Sequence, residues 1–211
     1  MNAGARFIAV TSGCGGVGTS SLAVALGRVL ARINEKSVLY ITFDFLASKC
    51  EIPGGSSRRD FLEYYQKVIL QEGQGKIDIS EDVITDAYGL NYLKCDAGIN
   101  PLHLGIDNIS DFLLKLNLDF DAVILDVPCN NMTGITVFPL CEDIVLNYGI
   151  SKPHQVKYCD DFFDLLNLIC HDSNLHRFVC GIDSFSFENG DADIHGEFGS
   201  EVRRLAEELG F

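Results

Sequence analysis

The sequence predicts an α/β fold of the doubly wound type, in which a mostly parallel β-sheet carries helices on both faces. Three observations lead to this prediction. Short apolar runs alternate with segments of helical spacing along the whole chain. Most residues in these short runs are apolar, as in strands that are buried on both faces of a parallel sheet. Two of them lead to an aspartate, which marks the carboxyl edge where such sheets bind ligands.

The first half of the chain opens with an apolar run at residues 6–11 (RFIAVT), which predicts a strand and is followed at once by a glycine-rich loop. Residues 20–31 are rich in alanine and leucine with the spacing of a buried helix. A second apolar strand is predicted at 38–43 (VLYITF). The remaining predicted elements of this half are a helix at 59–70 and a strand at 90–94.

The second half continues the alternation. Its most convincing strand is residues 122–126, where four apolar residues end in a carboxylate. The last predicted helix has a polar composition and is expected at the surface. The other elements expected here are helices at 106–116, 156–169 and 197–209 and strands at 144–148 and 177–182. Because no repeat or linker interrupts the pattern, residues 1–211 are expected to form a single domain.

Composition and charge narrow the function classes. Of the 211 residues, 47% are hydrophobic and 22% are charged, as in globular proteins. A formal net charge of −14 argues against a nucleic-acid surface and implies that any polyphosphate arrives with Mg²⁺. The eight cysteines show no metal-type spacing, so reduced thiols in a cytoplasmic protein are expected. No apolar run approaches the ~20 residues that cross a bilayer, so direct membrane insertion is not expected.

The glycine-rich loop TSGCGGVGTSS is the candidate cofactor-binding site. A strand, a glycine turn and a helix N-terminus together bind anions, because backbone N–H groups converge on the ligand and the helix dipole favours negative charge. Glycines allow the tight turn and the close approach of the backbone to a phosphate. The candidate binding residues are Gly13, Cys14, Gly15, Gly16, Val17, Gly18, Thr19, Ser20 and Ser21.

Two nucleotide motifs overlap in this loop. Gly13, Gly15 and Gly18 match the dinucleotide fingerprint GxGxxG, which leaves an NAD-type protein open as an alternative. The P-loop pattern GxxxxGK[ST] also fits, except that Thr19 stands at the lysine position. The P-loop is favoured because Ser20 sits where a hydroxyl would bind Mg²⁺. Asp44 also follows Gly18 by 26 residues, later than the ~20 expected of a ribose-binding acid.

Two carboxylates complete the predicted site. The segment FDAVILD ending at Asp126 looks like a Walker B strand, whose terminal acid holds Mg²⁺ through water. Ser20 and Asp126 are therefore the candidate magnesium residues. Asp44 and Asp126 are the candidate catalytic residues, which would position water or the metal.

These residues resemble the deviant-Walker ATPases of the MinD/ParA type, and most closely the pilus-assembly proteins of the TadZ (CpaE) type. The loop CGGVGTS carries Cys14 at that family's signature lysine and Thr19 at its ordinary P-loop lysine. Asp44 matches one acid of the family's first switch, while Thr42 replaces another common aspartate. Residues 126–128 (DVP) match the DxP at which its second switch begins.

The resemblance implies a function as well as a fold. It implies ATP or ADP with Mg²⁺, a homodimer around two nucleotides, and a role in positioning a pilus or secretion machine. It also implies a cytoplasmic protein recruited to the membrane or cell pole through partners. A receiver-like domain usually precedes this one in TadZ-like proteins, and none is expected in this chain.

The missing lysines affect binding and hydrolysis differently. Losing a hydrogen bond to a charged group, worth ~1.5–3 kcal/mol, would weaken phosphate binding about ten- to a hundredfold. Hydrolysis should suffer more, because a cation on the developing charge is most of the catalysis. We expect Arg28 to point away from the loop, while Arg58 and Arg59 either cover a nucleotide or lie at the surface.

Two further alternatives remain from the sequence. The first is a pseudo-ATPase that keeps the fold as an interaction module and no longer binds nucleotide. The second is a reactive Cys14 thiol, since a helix N-terminus lowers the pKa of a thiol. No histidine is placed by the sequence to act as its base, and the family resemblance explains the position without catalysis.

Overall fold

The computed structural model of the chain describes residues 4–43, 77–79, 83–92, 106–117, 119–129, 136–150, 152–179, 187–188, 191–192 and 194–211. Its strands are β1 (Arg6–Thr11), β2 (Val38–Thr42), β3 (Ile77–Asp78), β4 (Ile84–Thr85), β5 (Asn91–Tyr92), β6 (Leu116–Asn117), β7 (Ala122–Asp126), β8 (Asp143–Tyr148), β9 (Asn174–Val179), β10 (Phe187–Glu188) and β11 (Asp191–Ala192). Its helices are α1 (Thr19–Arg32), α2 (Ile106–Lys115), α3 (Pro153–Ile169) and α4 (Glu197–Glu208), with a 3₁₀ turn at Phe138–Leu140.

Seven of these strands form one sheet in the order β4-β5-β2-β7-β1-β8-β9. Neighbouring strands run parallel, except that β4 and β5 are antiparallel. Two small pairs, β3 with β6 and β10 with β11, stand apart from it. The prediction of an α/β fold with a mostly parallel sheet is confirmed.

Helices cover both faces of the sheet, as the sequence predicted. Successive residues of a strand point to opposite faces. Ile8 and Val10 of β1 therefore pack in one core cluster with α1 and α4. Ala9 packs in the other cluster with residues of α2 and α3. The sheet is thus buried on both sides, which explains why most residues of its central strands are apolar.

The predicted boundaries are closest for two neighbouring strands in the middle of the sheet. The strands expected at 6–11 and 122–126 have the observed bounds. The helix expected at 156–169 starts earlier, at Pro153, because the fixed φ of proline suits a first helical turn and Gln155 Oε1 accepts a hydrogen bond from the Lys152 backbone N–H at 3.1 Å. The strand expected at 177–182 starts earlier too, at Asn174. The helix predicted at 59–70 lies outside the described residues.

The expectation that the last helix, α4, is a polar surface helix is wrong. One side of it is polar, but the other packs against α1 and the sheet. Its buried residues are Phe198, Gly199, Val202, Leu205 and Ala206. The polar composition was misleading because an amphipathic helix needs only one apolar stripe to join the core.

Asp143 joins the amino ends of neighbouring strands, at the edge of the sheet opposite the glycine loop. Arg6 Nε donates a hydrogen bond to its Oδ2 at 2.7 Å, and His176 Nε2 lies 2.9 Å from its Oδ1. Arg6 also donates to the Leu209 carbonyl at 2.6 Å, which ties the end of α4 to β1. Burial alone would raise the pKa of Asp143, but the hydrogen bonds from His176 and Arg6 and the charge of Arg6 outweigh it and lower that pKa.

We predict that Asp143→Asn lowers the free energy of unfolding at pH 7 by about 2–4 kcal/mol, because it leaves Arg6 without its buried charge partner. The pKa of Asp143 is lower in the folded chain than in the unfolded chain. Its contribution is therefore complete above the unfolded value of about 4 and is lost as the pH falls through the folded value. Urea denaturation at pH 7 and at pH 3 would show a smaller difference between variant and wild type at pH 3.

Glu142→Gln is the matched control. Glu142 Oε2 lies 3.8 Å from Arg6 Nε, and the Glu142 side chain is 63% exposed. An exposed pair of this kind contributes at most about 1 kcal/mol. Equal losses of stability in the two variants would contradict the role assigned to Asp143.

Candidate functional site

The glycine-rich loop lies at the centre of the carboxyl edge of the sheet. Residues 12–18 connect the end of β1 to the start of α1, and β1 runs between β7 and β8. Helix α1 then covers one face, whereas α3, which follows β8, covers the other. The chain therefore leaves β1 and β8 toward opposite faces. Such a switch point is where doubly wound sheets form a ligand crevice.

The backbone of the loop suits an anion. Gly16 and Gly18 have φ values of 75° and 82°, in the left-handed region that favours glycine. Gly18 directly precedes α1, and its carbonyl accepts the first helical hydrogen bond, from Leu22 N. No side chain caps this helix in the described part of the chain. The first amides of α1 can therefore donate to a ligand, with the dipole favouring negative charge.

Strand β8 holds the loop through Asn147. The side-chain Nδ2 of Asn147 donates a hydrogen bond to the Val17 carbonyl at 2.8 Å, and Asn147 is 1% exposed. Within the loop, the Ser12 hydroxyl donates to the Cys14 carbonyl at 2.7 Å. These bonds fix the loop in the folded chain, so that a ligand does not have to order it.

The loop is closed on one side and open on the other. Gly13 packs against the backbone of α3, where an added Cβ would meet the Tyr158 carbonyl and lie 2.6 Å from Cys159 Cα. A Cβ at Gly15 or Gly16 would meet no atom within 4 Å. The space for a ligand is therefore on the side of Gly15 and Gly16.

Two buried oxygens beside the loop find no hydrogen-bond partner among the described residues. They are Thr11 Oγ1, at the end of β1, and Asn147 Oδ1. Buried polar groups nearly always have a partner, which is often water or a ligand. Because these oxygens lie next to the loop, a polar ligand and its bound water could supply the missing hydrogen bonds.

The loop itself contains no basic residue. Arg28 is the first basic residue after Arg6 in the sequence. As predicted, it points away: it is buried against Asp86, with Nε 2.7 Å from Oδ2, and lies over the ring of Tyr88. Arg58 and Arg59 lie outside the described residues.

Asp126 ends β7 at the same edge and is 1% exposed. It lies between Val10 of β1 and Thr42 of β2 in the register of the sheet. Its Oδ2 accepts hydrogen bonds from the Tyr40 hydroxyl at 2.8 Å and the Thr42 hydroxyl at 3.2 Å. The carboxylate predicted to hold magnesium is thus fixed by two hydroxyl groups of β2.

The structure places some of the predicted site residues at one edge of the sheet, and others lie outside the described residues. The loop, Ser20 at the start of α1 and Asp126 share one edge of the sheet. Asp44 lies outside the described residues. Sequence reasoning missed Asn147 and Tyr40. The signal for Asn147 was an amide inside an apolar strand, and Tyr40 gave no signal beyond its place in β2.

The geometry does not support a reactive Cys14. Burial, and next the neighbouring thiol of Cys159, raise the pKa of Cys14 from 9.0 to about 11. At neutral pH the nucleophilic thiolate is therefore about a hundredfold rarer than for an ordinary cysteine, since one pKa unit is tenfold. Burial therefore shifts the pKa of Cys14 in the direction opposite to the one that the alternative required.

Within the described residues, no group of three or more histidine, cysteine or acidic side chains could hold a metal ion by itself. A magnesium ion at this edge would thus depend on phosphate oxygens and water together with a few protein oxygens, which is common for Mg²⁺. The hydroxyl of Ser20 and the carboxylate of Asp126 fit that chemistry. None of the helices in the described ranges is both long and apolar enough to span a membrane.

We predict that Cys14 reacts slowly with iodoacetamide at pH 7.5, at least tenfold more slowly than a small-molecule thiol, because of its raised pKa. The rate should rise about tenfold per pH unit up to pH 10, and mass spectrometry would map the modified site. The same chain in denaturant is the control, in which Cys14 should react at the ordinary rate. Labelling of folded Cys14 faster than the small thiol would restore the reactive-thiol alternative.

Comparison with known proteins finds relatives of part of the sequence and solved structures of similar fold. No protein-family model matches the chain. The septum site-determining protein MinD of Buchnera aphidicola (subsp. Acyrthosiphon pisum) is 28% identical over 134 residues, which are 61% of this chain and 47% of that protein. A second Buchnera MinD (subsp. Schizaphis graminum) is 32% identical over the same length, with the same coverage. The chain spans about half the length of the curated relatives it matches.

Solved structures share the fold at low sequence identity. A ParA family ATPase from Chlorobium tepidum aligns with 95% of this chain and 80% of its own, with a TM-score of 0.67 and 13% identity. Cobyrinic acid a,c-diamide synthase from Mycobacterium smegmatis, solved with an ATP analogue and magnesium, aligns with 83% and 72%, at TM-score 0.61 and 16% identity.

The MinC:MinD complex of Aquifex aeolicus aligns with 83% of this chain and 68% of its own, at TM-score 0.52 and 21% identity. The chain is therefore similar in sequence to MinD and in fold to ParA and MinD, which supports homology with the P-loop ATPases of that type.

Proposed function

We propose that the chain binds ATP or ADP with Mg²⁺ at the glycine-rich loop and hydrolyses ATP slowly or not at all. The observation that carries the proposal is the loop itself. Gly16 and Gly18 adopt left-handed backbone, α1 begins without a capping side chain, and the loop is open beside Gly15. This is the geometry in which backbone amides bind a phosphate.

In this proposal, each loop residue has a role. The amides of the loop and of the first turn of α1 bind the phosphates, and Thr19 adds one neutral hydrogen bond. The oxygens of Ser20 and Asp126 hold Mg²⁺, which supplies the positive charge that the loop lacks. Asp44 orients water or responds as a switch. The uncharged Thr19 is the reason for slow turnover, because the developing charge on the phosphate finds no lysine.

The comparisons support the nucleotide without identifying it. The cobyrinic acid a,c-diamide synthase of similar fold was solved with an ATP analogue and with ADP, each with magnesium. A plasmid partition protein from Borrelia burgdorferi, also of similar fold, was solved with AMPPNP. These ligands belong to those proteins, and they make adenine nucleotides the first to test here.

The biological role that we propose rests on the TadZ-like loop CGGVGTS. In this role the chain is one domain that pairs with a second copy around the nucleotides and helps to position a pilus or secretion machine. It would act in the cytoplasm and reach the membrane or cell pole through a protein partner.

Binding can be tested by thermal unfolding of the chain with MgATP, MgADP or NAD⁺. A ligand that binds only the native state raises the melting temperature, because it adds RT ln(1 + [L]/Kd) to the stability. We predict a rise with 5 mM MgATP or MgADP and none with NAD⁺, together with phosphate release far below that of a lysine-containing P-loop ATPase. A shift with NAD⁺ alone would favour the dinucleotide alternative, and no shift with any ligand would favour the pseudo-ATPase.

Thr19→Lys sharpens this test. The lysine should tighten MgATP binding about ten- to a hundredfold, since it adds a charged hydrogen bond to phosphate. Ser37→Lys is the matched control, because it adds the same charge at an exposed residue before the amino end of β2, on the opposite edge of the sheet. If the affinity for MgATP rises equally in both variants, the increase reflects net charge and not a contact at the loop.

A further inference from the structure

Tyr40 is a buried tyrosine of β2 whose hydroxyl points at the carboxylate of Asp126. Residues two apart in a strand share a face, so Tyr40 lies one step behind Thr42 on the side of Asp126. Its hydroxyl donates to Asp126 Oδ2 at 2.8 Å, compared with 3.2 Å from Thr42. The bond from Tyr40 has the usual length of an O–H···O hydrogen bond, whereas the bond from Thr42 is longer than that range.

The ring of Tyr40 is fixed by packing. It is 3% exposed and meets the ring of Tyr92 edge to face, with centroids 6.4 Å apart. A phenylalanine would fill the same space, so the hydroxyl is not required by the core. Its acceptor is a carboxylate that is itself buried and needs donors in place of water.

We propose that Tyr40 is a positioning residue for Asp126 and thereby sets how much magnesium contributes to nucleotide binding. The two hydroxyls of β2 engage Oδ2 and so fix the plane of the carboxylate before a ligand arrives. With no lysine in the loop, the metal is the main cation on the phosphates, and its affinity depends on this orientation. The inference rests on the proposed function, because it assumes that nucleotide and Mg²⁺ bind at this edge.

Tyr40→Phe tests the inference in the full chain. Calorimetry would give the dissociation constant of ATP with excess Mg²⁺ and with EDTA, and the ratio of the two is the magnesium gain. We predict that the variant loses about tenfold or more of this gain, as expected for a lost hydrogen bond to a charged group. Binding of metal-free ATP should stay within about twofold of wild type, which a general structural defect would not produce.

Tyr92→Phe is the matched control. Tyr92 is buried beside Tyr40, and its hydroxyl lies near the Arg28–Asp86 pair without making a hydrogen bond of ordinary geometry. Its removal should leave the magnesium gain unchanged. Thr42→Val is a second variant, in case Tyr40→Phe does not fold, and should lower the gain in the same direction by a smaller factor.

The possible results separate the two levels of the proposal. An unchanged magnesium gain in folded Tyr40→Phe overturns the inference about Tyr40, while wild-type binding still supports the proposed function. Equal losses with and without Mg²⁺ also overturn it, since they indicate a structural role. If wild type binds ATP neither with Mg²⁺ nor with EDTA, the proposed function fails and this inference fails with it.

Discussion

The parallel pairing of β1 with β7 on one side and β8 on the other is the constraint on which the site depends. It places the end of β1 beside Asp126 of β7 and near Asn147 of β8. The loop after β1 is then held by the Asn147 side chain and packs against the backbone of α3 at Tyr158 and Cys159. A shift of one residue in this register would turn Asp126 to the other face of the sheet and remove Asn147 from Val17.

Charge is the second constraint. The chain carries a formal net charge of −14, and its glycine-rich loop has no basic residue. A helix N-terminus contributes only about half a positive charge, so it cannot by itself offset a triphosphate. The sharing of Asp126 Oδ2 between two hydroxyl donors removes part of the repulsion between this carboxylate and a phosphate. A bound divalent cation would supply the rest, which is why Asp126 and its two hydroxyl donors are central to the proposed function.

The sequence predicted the parts of the site that depend on neighbours along the chain. The loop, the strand at 122–126 and the start of α1 follow from glycine chemistry and apolar runs, and the orientation of Arg28 followed from helix geometry. The partners of these residues could not be predicted, because Asn147 is 130 residues from Val17 and Asp86 is 58 residues from Arg28. The bond from Tyr40 to Asp126 spans 86 residues and has no local pattern. Helix α4 was assigned to the surface because its single apolar stripe is diluted by charged residues.

Nuclear magnetic resonance of the ¹⁵N-labelled chain during a titration with MgATP tests most directly whether the loop amides bind phosphate. If they do, the backbone amide signals of Gly15, Gly16, Gly18 and Thr19 should shift most and saturate together. The amides around Asp143, at the opposite edge of the sheet, should stay in place. Saturable shifts that spare the loop, or no shifts at millimolar MgATP, would contradict phosphate binding at this site.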